Sequence, residues 1–144
     1  MPIEVAVTQI AQRGLDRLRG AAKKRADAWL DDLAARGCAA MGYRLTGEDP
    51  LPSLCCIHLR GQDRAVVAFR DDLAVVLLVG PHDAQDAAVN IYDLLYSLVG
   101  HETEPAAKRT KPACCDEDTA APNLGQEQID DLVERSRELV RRRR

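Results

Sequence analysis

One stretch, Leu54 to Gly80, constrains the fold more than any other part of the sequence. Apolar residues recur at every second position in its first two segments, which is the period of a β-strand. Gly61-Gln62-Asp63 and Arg70-Asp71-Asp72 have the composition of tight turns between the segments. Leu73 to Val79 is apolar throughout and therefore indicates an interior strand that is covered on both sides. The stretch predicts three consecutive antiparallel strands.

The same alternation predicts how the first two strands pair. If Gln62 is the centre of the turn, one side of the hairpin is wholly apolar, with Leu59 facing Ala65, Ile57 facing Val67 and Cys55 facing Phe69. On the other side His58 is expected to face Val66, and Arg60 to face Arg64. Two opposed arginines repel each other unless an anion lies between them. This second face is therefore a candidate site for chemistry.

Val76 and Leu78 are expected on the same face as His58 and Arg64. Because those residues are apolar, that face is not expected to be open to water. A helix, the C-terminal tail or a partner should cover part of it.

Helices are predicted on both sides of this central stretch. Short strands are expected over residues 3–7 and 41–45. Thr8 is a suitable N-cap for a helix that ends near Arg19, and a second helix is expected over residues 22–36. Because their connection is short, the two helices are expected to form an antiparallel hairpin. With a third helix over about residues 89–99, the pattern predicts an α+β fold with a small curved antiparallel sheet, an N-terminal helical hairpin and a C-terminal helix.

The chain is expected to divide into one domain, a linker and a tail. Residues 1–100 form the predicted domain. Residues 101–125 are rich in Pro, Thr, Ala and charge, which is typical of a flexible linker. Residues 126–144 form an amphipathic tail helix that ends in four arginines, a favourable charge for a helix C-terminus. This helix is expected to be a docked or free tail, with a partner-binding helix or an RNA anchor as alternatives.

Composition limits the partners. A hydrophobic content of 46% is enough for a buried core, and the net charge is −3. Residues 1–100 contain 11 basic and 13 acidic residues, which argues against a generally basic surface for nucleic acid. The basic turn at Lys23-Lys24-Arg25 is interpreted as a solvated helix face, with a phosphate-facing or partner-facing patch as the alternative.

Composition also bears on location and on metals. The sequence has neither an apolar run long enough to span a bilayer nor a secretion signal, so we expect a cytoplasmic protein without membrane contact. The five cysteines are then expected to be reduced thiols. Two adjacent pairs without CxxC spacing do not form a zinc signature, so neither a metal nor another cofactor is expected.

Several short motifs give the sequence a family resemblance. Residues 3–100 resemble the RelE/ParE superfamily of toxins from bacterial toxin–antitoxin modules. The resemblance covers the predicted domain and excludes the tail. The matching residues are Leu45-x-Gly47, Ile57-x-Leu59-Arg60, Arg64, Asp71-Asp72 and Gly80.

The resemblance implies one of two activities and a cognate antitoxin as partner. RelE-like members cleave messenger RNA, usually on the ribosome, whereas ParE-like members poison DNA gyrase. The lysine positions of the RNase pattern fall on Cys56 and His58, so the lysines themselves are missing. The remaining positions of the pattern fall on Arg60, Arg64, His82 and Tyr92.

The implied chemistry is RNA cleavage without a metal ion. It requires a base for the 2′-hydroxyl, cations for the developing phosphorane charge and an acid for the leaving oxygen. His58 is the expected base, Arg60 and Arg64 the expected phosphate clamp, and His82 or Tyr92 the expected acid.

Several alternatives remain open. Tyr96 is a second candidate tyrosine, and Asp83 and Asp86 either orient His82 or cap the next helix. A gyrase poison and a non-catalytic binding module that has lost toxicity are the alternative functions. The tail helix is a further candidate, as an inhibitor of its own domain.

Overall fold

The computed structural model describes residues 3–83, 85–86, 90–100 and 112–142. The elements follow in chain order as β1 (Glu4–Val7), α1 (Gln9–Asp16), α2 (Gly20–Arg36), β2 (Tyr43–Arg44), β3 (Leu54–His58), β4 (Asp63–Arg70), β5 (Leu73–Pro81), α3 (Ile91–Val99) and α4 (Gln126–Arg142). The α+β fold class is confirmed. Among the described residues, no helix is long and apolar enough to cross a membrane.

The strands form one five-stranded sheet in the order β1-β5-β4-β3-β2. The hairpins β3–β4 and β4–β5 are antiparallel, as predicted. β1 is different because it pairs parallel with β5, from Glu4 opposite Leu73 to Val7 opposite Val76. The sheet is therefore mixed rather than wholly antiparallel. This pairing joins the first strand to the last, which are far apart in the sequence, and local periodicity does not predict such a contact.

Helix α1 is fixed against β5 at two points. Thr8 is the predicted N-cap: its hydroxyl accepts a hydrogen bond from the Ala11 amide at 3.1 Å and donates one to the Leu77 carbonyl at 2.8 Å. At Gly14, an added Cβ would lie 1.9 Å from the carbonyl oxygen of Val79. Gly14 therefore allows the helix backbone to lie directly on β5. α1 packs mainly on β5 and α4, while α2 lies against β1.

The two faces of the sheet have different covers. The face that we call the α2 face packs against α1 and α2, which bury Leu15, Trp29 and Leu33. Its strand residues include Cys55, Ala65, Val67 and Val76. The opposite face, the α4 face, packs against α3 and α4. Its cluster includes Cys56, Val66, Leu77, Leu98 and Leu132. The expectation that helices or the tail would cover the second face is confirmed.

The predicted strand register is wrong by two residues. Cys56 pairs with Val66, Ile57 with Ala65, and His58 with Arg64. Residues 59–62 form a longer turn than expected, closed by a 2.9 Å bond from the Leu59 amide to the Asp63 carbonyl. Because the shift is even, each side chain stays on its predicted face. Arg60 lies in the turn, so it does not face Arg64.

An irregularity in β5 changes one further prediction. The register shifts between Val66 and Val67, whose partners are Leu78 and Val76. Leu77 is thus the extra residue of a bulge. Val76 consequently packs on the α2 face rather than with His58 and Arg64, whereas Leu78 packs on the α4 face as expected.

Residues 112–125, which we call the strap, run from the α2 face, where Cys114 packs, to the α4 face, where Leu124 packs. Disulfides join Cys38 to Cys115 and Cys55 to Cys114, with Cα–Cα distances of 5.4 and 5.7 Å. The expectation of reduced thiols is therefore wrong for these four cysteines, because packing of the strap brings distant residues within bonding distance. Cys56 is a buried free thiol. The strap belongs to the segment for which we expected a flexible linker, and the division of the chain into three parts stays a prediction.

Candidate functional site

A polar cluster lies at the end of the sheet where β3 and β5 finish and α3 begins. It comprises residues from β2, β3, β4, the segment after β5 and α3. We define the polar cluster as Tyr43, Cys56, His58, Arg64, His82 and Tyr92. Four of the five predicted site residues are members, and each is brought there by a different element or strand end. Arg60 is the exception, since it lies exposed in the turn after β3.

Two tyrosine hydroxyls form the centre of the polar cluster. The hydroxyl oxygens of Tyr43 and Tyr92 are 3.4 Å apart, and either can donate. Tyr43 lies opposite Cys56 in the β2–β3 pair, and the Cys56 thiol interacts with both hydroxyls. The three side chains therefore form a small hydrogen-bonding network that is partly covered by the sheet and α3.

The surroundings keep the Tyr43 hydroxyl and the Cys56 thiol protonated. Burial, followed by the hydrogen bond with Tyr92, raises the pKa of Tyr43. Burial also raises the pKa of the Cys56 thiol, although the Tyr43 hydroxyl and the charge of Arg64 offset part of that effect. Both groups are consequently neutral at pH 7. Tyr43 is suited to donating a hydrogen bond and is not suited to acting as a base.

The two histidines flank the tyrosine pair. The His58 ring lies edge-on to Tyr43, with centroids 6.0 Å apart. The His82 ring lies edge-on to Tyr92, with centroids 4.7 Å apart. Both histidines are exposed. The contacts thus run from His58 through the two tyrosines to His82, so that two solvent-accessible imidazoles lie beside a pair of tyrosine hydroxyls.

Arg64 supplies positive charge beside His58, its cross-strand partner. Its Nη1 atom donates to the carbonyls of Gly61 and Asp63, at 3.1 and 3.3 Å. Its Nε atom is buried and has no hydrogen-bond partner among the described residues. Burial raises the pKa of Asp63, and the charge of Arg64 opposes that change. The guanidinium therefore both supports the turn and retains one unused donor.

The remaining candidates fall outside the polar cluster. Tyr96 is buried among the apolar residues of the α4 face. The carboxylate of Asp83 accepts a bond from the Gln85 amide at 3.1 Å, which makes it part of a local turn. The described residues contain no cluster of three or more His, Cys, Asp or Glu side chains suited to a metal ion.

Sequence reasoning missed Tyr43. Its strand is only two residues long, which is too short for a period-two pattern to be recognised. Two signals could have indicated it. Tyr43 is one of three tyrosines in an aromatic-poor chain, and it precedes the matched Leu45-x-Gly47 motif.

Two solved structures of toxins are similar to this chain. The toxin–antitoxin complex RelBE2 from Mycobacterium tuberculosis gives 25% identity over 56% of this chain and 99% of that chain, with a TM-score of 0.42. A mutant of the E. coli toxin RelE in the free state gives 19% identity over 58% of this chain and 87% of that chain, with a TM-score of 0.45. No protein-family model and no curated protein matches the sequence.

Proposed function

We propose that this chain is a RelE-like toxin that cleaves RNA at the polar cluster. The observation that carries the proposal is the convergence of His58, Arg64, His82 and Tyr92 at one end of the sheet. These are four of the five residues that the family resemblance implies. The proposal includes a cytoplasmic location and restraint by a cognate antitoxin, both of which come from the resemblance and the composition.

The proposed reaction is transfer of the RNA phosphate from the 5′-oxygen to the neighbouring 2′-oxygen. His58 accepts the 2′-hydroxyl proton as the 2′-oxygen attacks phosphorus, giving a 2′,3′-cyclic phosphate. Tyr92 or His82 gives a proton to the departing 5′-oxygen, so that the protons balance. Arg64 lies opposite His58 in the β3–β4 pair and places a positive charge beside the reacting phosphate.

The charge that develops on phosphorus requires donors already in place. Arg64 offers the positive charge of its guanidinium, and the neutral Tyr43 hydroxyl offers a hydrogen bond. Tyr43 also positions Tyr92 through the contact between their hydroxyls. In this proposal Arg60 has no catalytic role, because its side chain is exposed in the turn after β3 and no hydrogen bond or ion pair among the described residues joins it to the polar cluster.

An induced-expression growth assay with RNA cleavage mapping tests the proposal. Replacing a general acid or base removes about 100-fold or more in rate. His58→Gln is therefore expected to relieve growth arrest and to reduce cleavage by about that factor, and His82→Gln does the same where His82 is the acid. Both residues are exposed, so the variants should remain folded. Arg60→Gln is the matched control and should arrest growth as the original chain does.

Undiminished arrest and cleavage in both histidine variants would reject the site. Growth arrest with intact messenger RNA and inhibited supercoiling would instead indicate the gyrase-poison alternative. A circular dichroism spectrum and a urea transition for each variant separate loss of chemistry from loss of structure.

A non-catalytic binding module is the second candidate function. The observation that favours it is that one amino group of Arg64 already donates hydrogen bonds to the carbonyls of Gly61 and Asp63 within the protein. Cys56 also occupies a position where the RNase pattern has a lysine. This alternative predicts harmless expression and a stable complex with a protein encoded by a neighbouring gene, measurable by co-purification.

A further inference from the structure

The strap is covalently fixed at its first end. Disulfides hold Cys114 to β3 and Cys115 to the turn that follows α2. Arg44 of the edge strand β2 donates its backbone amide to the Pro112 carbonyl at 2.7 Å and its Nε atom to the Cys114 carbonyl at 3.1 Å. Residues 112–115 are thereby bound to the α2 face and to the edge of the sheet.

The other end of the strap has no disulfide and is held by hydrogen bonds and by the burial of Leu124. The Leu124 amide donates to the Phe69 carbonyl at 3.0 Å, and the Leu124 carbonyl accepts from Arg70 at 3.0 Å. The Asn123 side chain accepts from the Asp71 amide at 2.6 Å. Cys114 packs in the α2-face cluster, whereas Leu124 packs in the α4-face cluster. The strap therefore passes over the β4–β5 turn and connects to α4, which lies on the opposite face.

The position of helix α4 depends on this connection. It buries one apolar edge, comprising Ile129, Leu132, Leu139 and Val140. Its ion pairs, such as Asp131 with Arg135 and Glu134 with Arg141, are exposed and join residues of α4 itself. Exposed pairs contribute little stability, and an isolated helix of this length is marginal in water. Two things therefore hold α4 in place. One is the contact that its apolar edge makes with the α4 face, and the other is the tether that keeps the helix near that face.

We propose that the two disulfides are a redox-controlled clasp that keeps α4 on the α4 face, and that their reduction releases the helix. With Cys115 fixed, ten residues (116–125) connect the anchor to α4. After reduction, the covalent tether runs from Gly100 and contains 25 residues (101–125). Effective concentration falls with about the three-halves power of tether length, which gives roughly a fourfold loss. Loss of the strap hydrogen bonds adds to that factor.

The clasp opens in an expected order. The Cys38–Cys115 disulfide contains the half-buried Cys115, whereas Cys55 and Cys114 are fully buried. A dithiol reductant therefore attacks Cys38–Cys115 first. One of its thiolates forms a mixed disulfide and releases one cysteine as a thiol. Its second thiol then releases the other cysteine, and the reductant leaves as a disulfide. Two electrons and two protons pass to each cysteine pair.

Cys56 takes no part in this exchange. It is adjacent to Cys55 in β3, but successive strand residues point to opposite faces, and Cys56 packs on the α4 face. In a reducing compartment the open form is favoured, and oxidation closes the clasp.

Hydrogen-exchange mass spectrometry on the full chain, before and after treatment with dithiothreitol, tests the clasp. Amides of α4 should exchange at least about fourfold faster after reduction. Amides of β4 and β5 should keep their rates. Alkylation in denaturant, followed by mass measurement, should count one thiol before reduction and five after it, as Cys56 alone is unpaired.

Two variants separate the clasp from general effects of the reductant. The double variant Cys114→Ser/Cys115→Ser cannot close the clasp and should show fast α4 exchange without any reductant. Cys56→Ala is the matched control, because it retains both disulfides and should respond to dithiothreitol as the original chain does.

Three results would overturn the inference. The first is unchanged α4 exchange after mass spectrometry shows complete reduction. The second is acceleration that is equal in α4 and in the sheet, which would make the disulfides general stabilisers. The third is five alkylated thiols in protein that was never reduced. None of these measurements depends on RNA cleavage, so they test the clasp separately from the proposed toxin activity.

Discussion

The two faces of the sheet use the same strands but are built differently. The α2 face is apolar across its strands and is reinforced by two disulfides. The α4 face is apolar in its middle and ends in the polar cluster. Cys55 and Cys56 show the contrast within one dipeptide. Cys55 is cross-linked on the α2 face, whereas Cys56 is a free thiol beside two tyrosines on the α4 face.

This difference shows what a strand pattern determines and what it leaves to the rest of the chain. Alternation assigns each residue to a face, which is a local property. The chemical role of that residue depends on what covers the face. Here α2 covers one side and α3 and α4 cover the other, while α1 contacts β5 and α4 and contributes residues to both clusters.

The largest expected effect tests how much stability the α2 face supplies. Trp29 is fully buried, and its indole nitrogen has no hydrogen-bond partner among the described residues. Trp29→Ala should therefore lower the free energy of unfolding by about 3–5 kcal/mol through lost packing. Leu98→Ala is the corresponding change on the α4 face and should cost about 2–5 kcal/mol. Urea denaturation measures both.

Trp29→Phe is the control for the first prediction. Because no indole hydrogen bond is lost, this variant should cost clearly less than Trp29→Ala. A cost below about 1 kcal/mol for Trp29→Ala would show that α2 contributes little to the fold.

A smaller effect is expected where α1 meets β5. Gly14→Ala would improve helix propensity by about 1 kcal/mol in an open helix. Here the added methyl group would overlap the Val79 carbonyl, so we expect a net loss of about 1–3 kcal/mol in thermal or urea unfolding. Gln9→Ala, an exposed change in the same helix, should alter stability by less than about 0.5 kcal/mol. A stabilised Gly14→Ala variant would contradict the close packing.

The smallest effect concerns protonation on the α4 face. Burial raises the pKa of the Cys56 thiol above its ordinary value of 9.0. The folded state therefore holds this proton more tightly than the unfolded state does. The contribution of this thiol to the free energy of unfolding is fully present below pH 9. It is lost as the pH rises towards the pKa that the thiol has in the folded state.

Urea denaturation at pH 7.5 and pH 9.5 measures this linkage. The original chain should lose roughly 1 kcal/mol more stability between the two pH values than Cys56→Ala does. Equal losses in the two proteins would show that the thiol does not resist ionisation. Measurement soon after the change of pH limits exchange of the disulfides.

Much of the scaffold can be predicted from sequence because it follows from local patterns. The three central strands, the Thr8 cap and the helix end at Gly100 each depend on a few neighbouring residues. The predicted register of β3 against β4 was wrong by two residues because the turn spans residues 59–62. The composition of the turn alone favoured a shorter loop. The bulge at Leu77 reversed the expected face of Val76 because it adds one residue to β5.

The candidate site was predictable only in part. The family resemblance identified His58, Arg64, His82 and Tyr92, and the structure brings these four together. Tyr43 was missed because its strand is too short to have a period. The disulfides were missed because they join residues 77 and 59 positions apart, a proximity that no local pattern encodes.

The parallel pairing of β1 with β5 has a consequence for synthesis on the ribosome. The chain grows from its N-terminal end, so β1 is made long before residues 73–76, with which it pairs. Until β5 emerges, the backbone groups of β1 have no native strand beside them. Sheet completion must therefore wait for more than half of the chain, and a growing chain exposes an unpaired strand that can join incorrect neighbours.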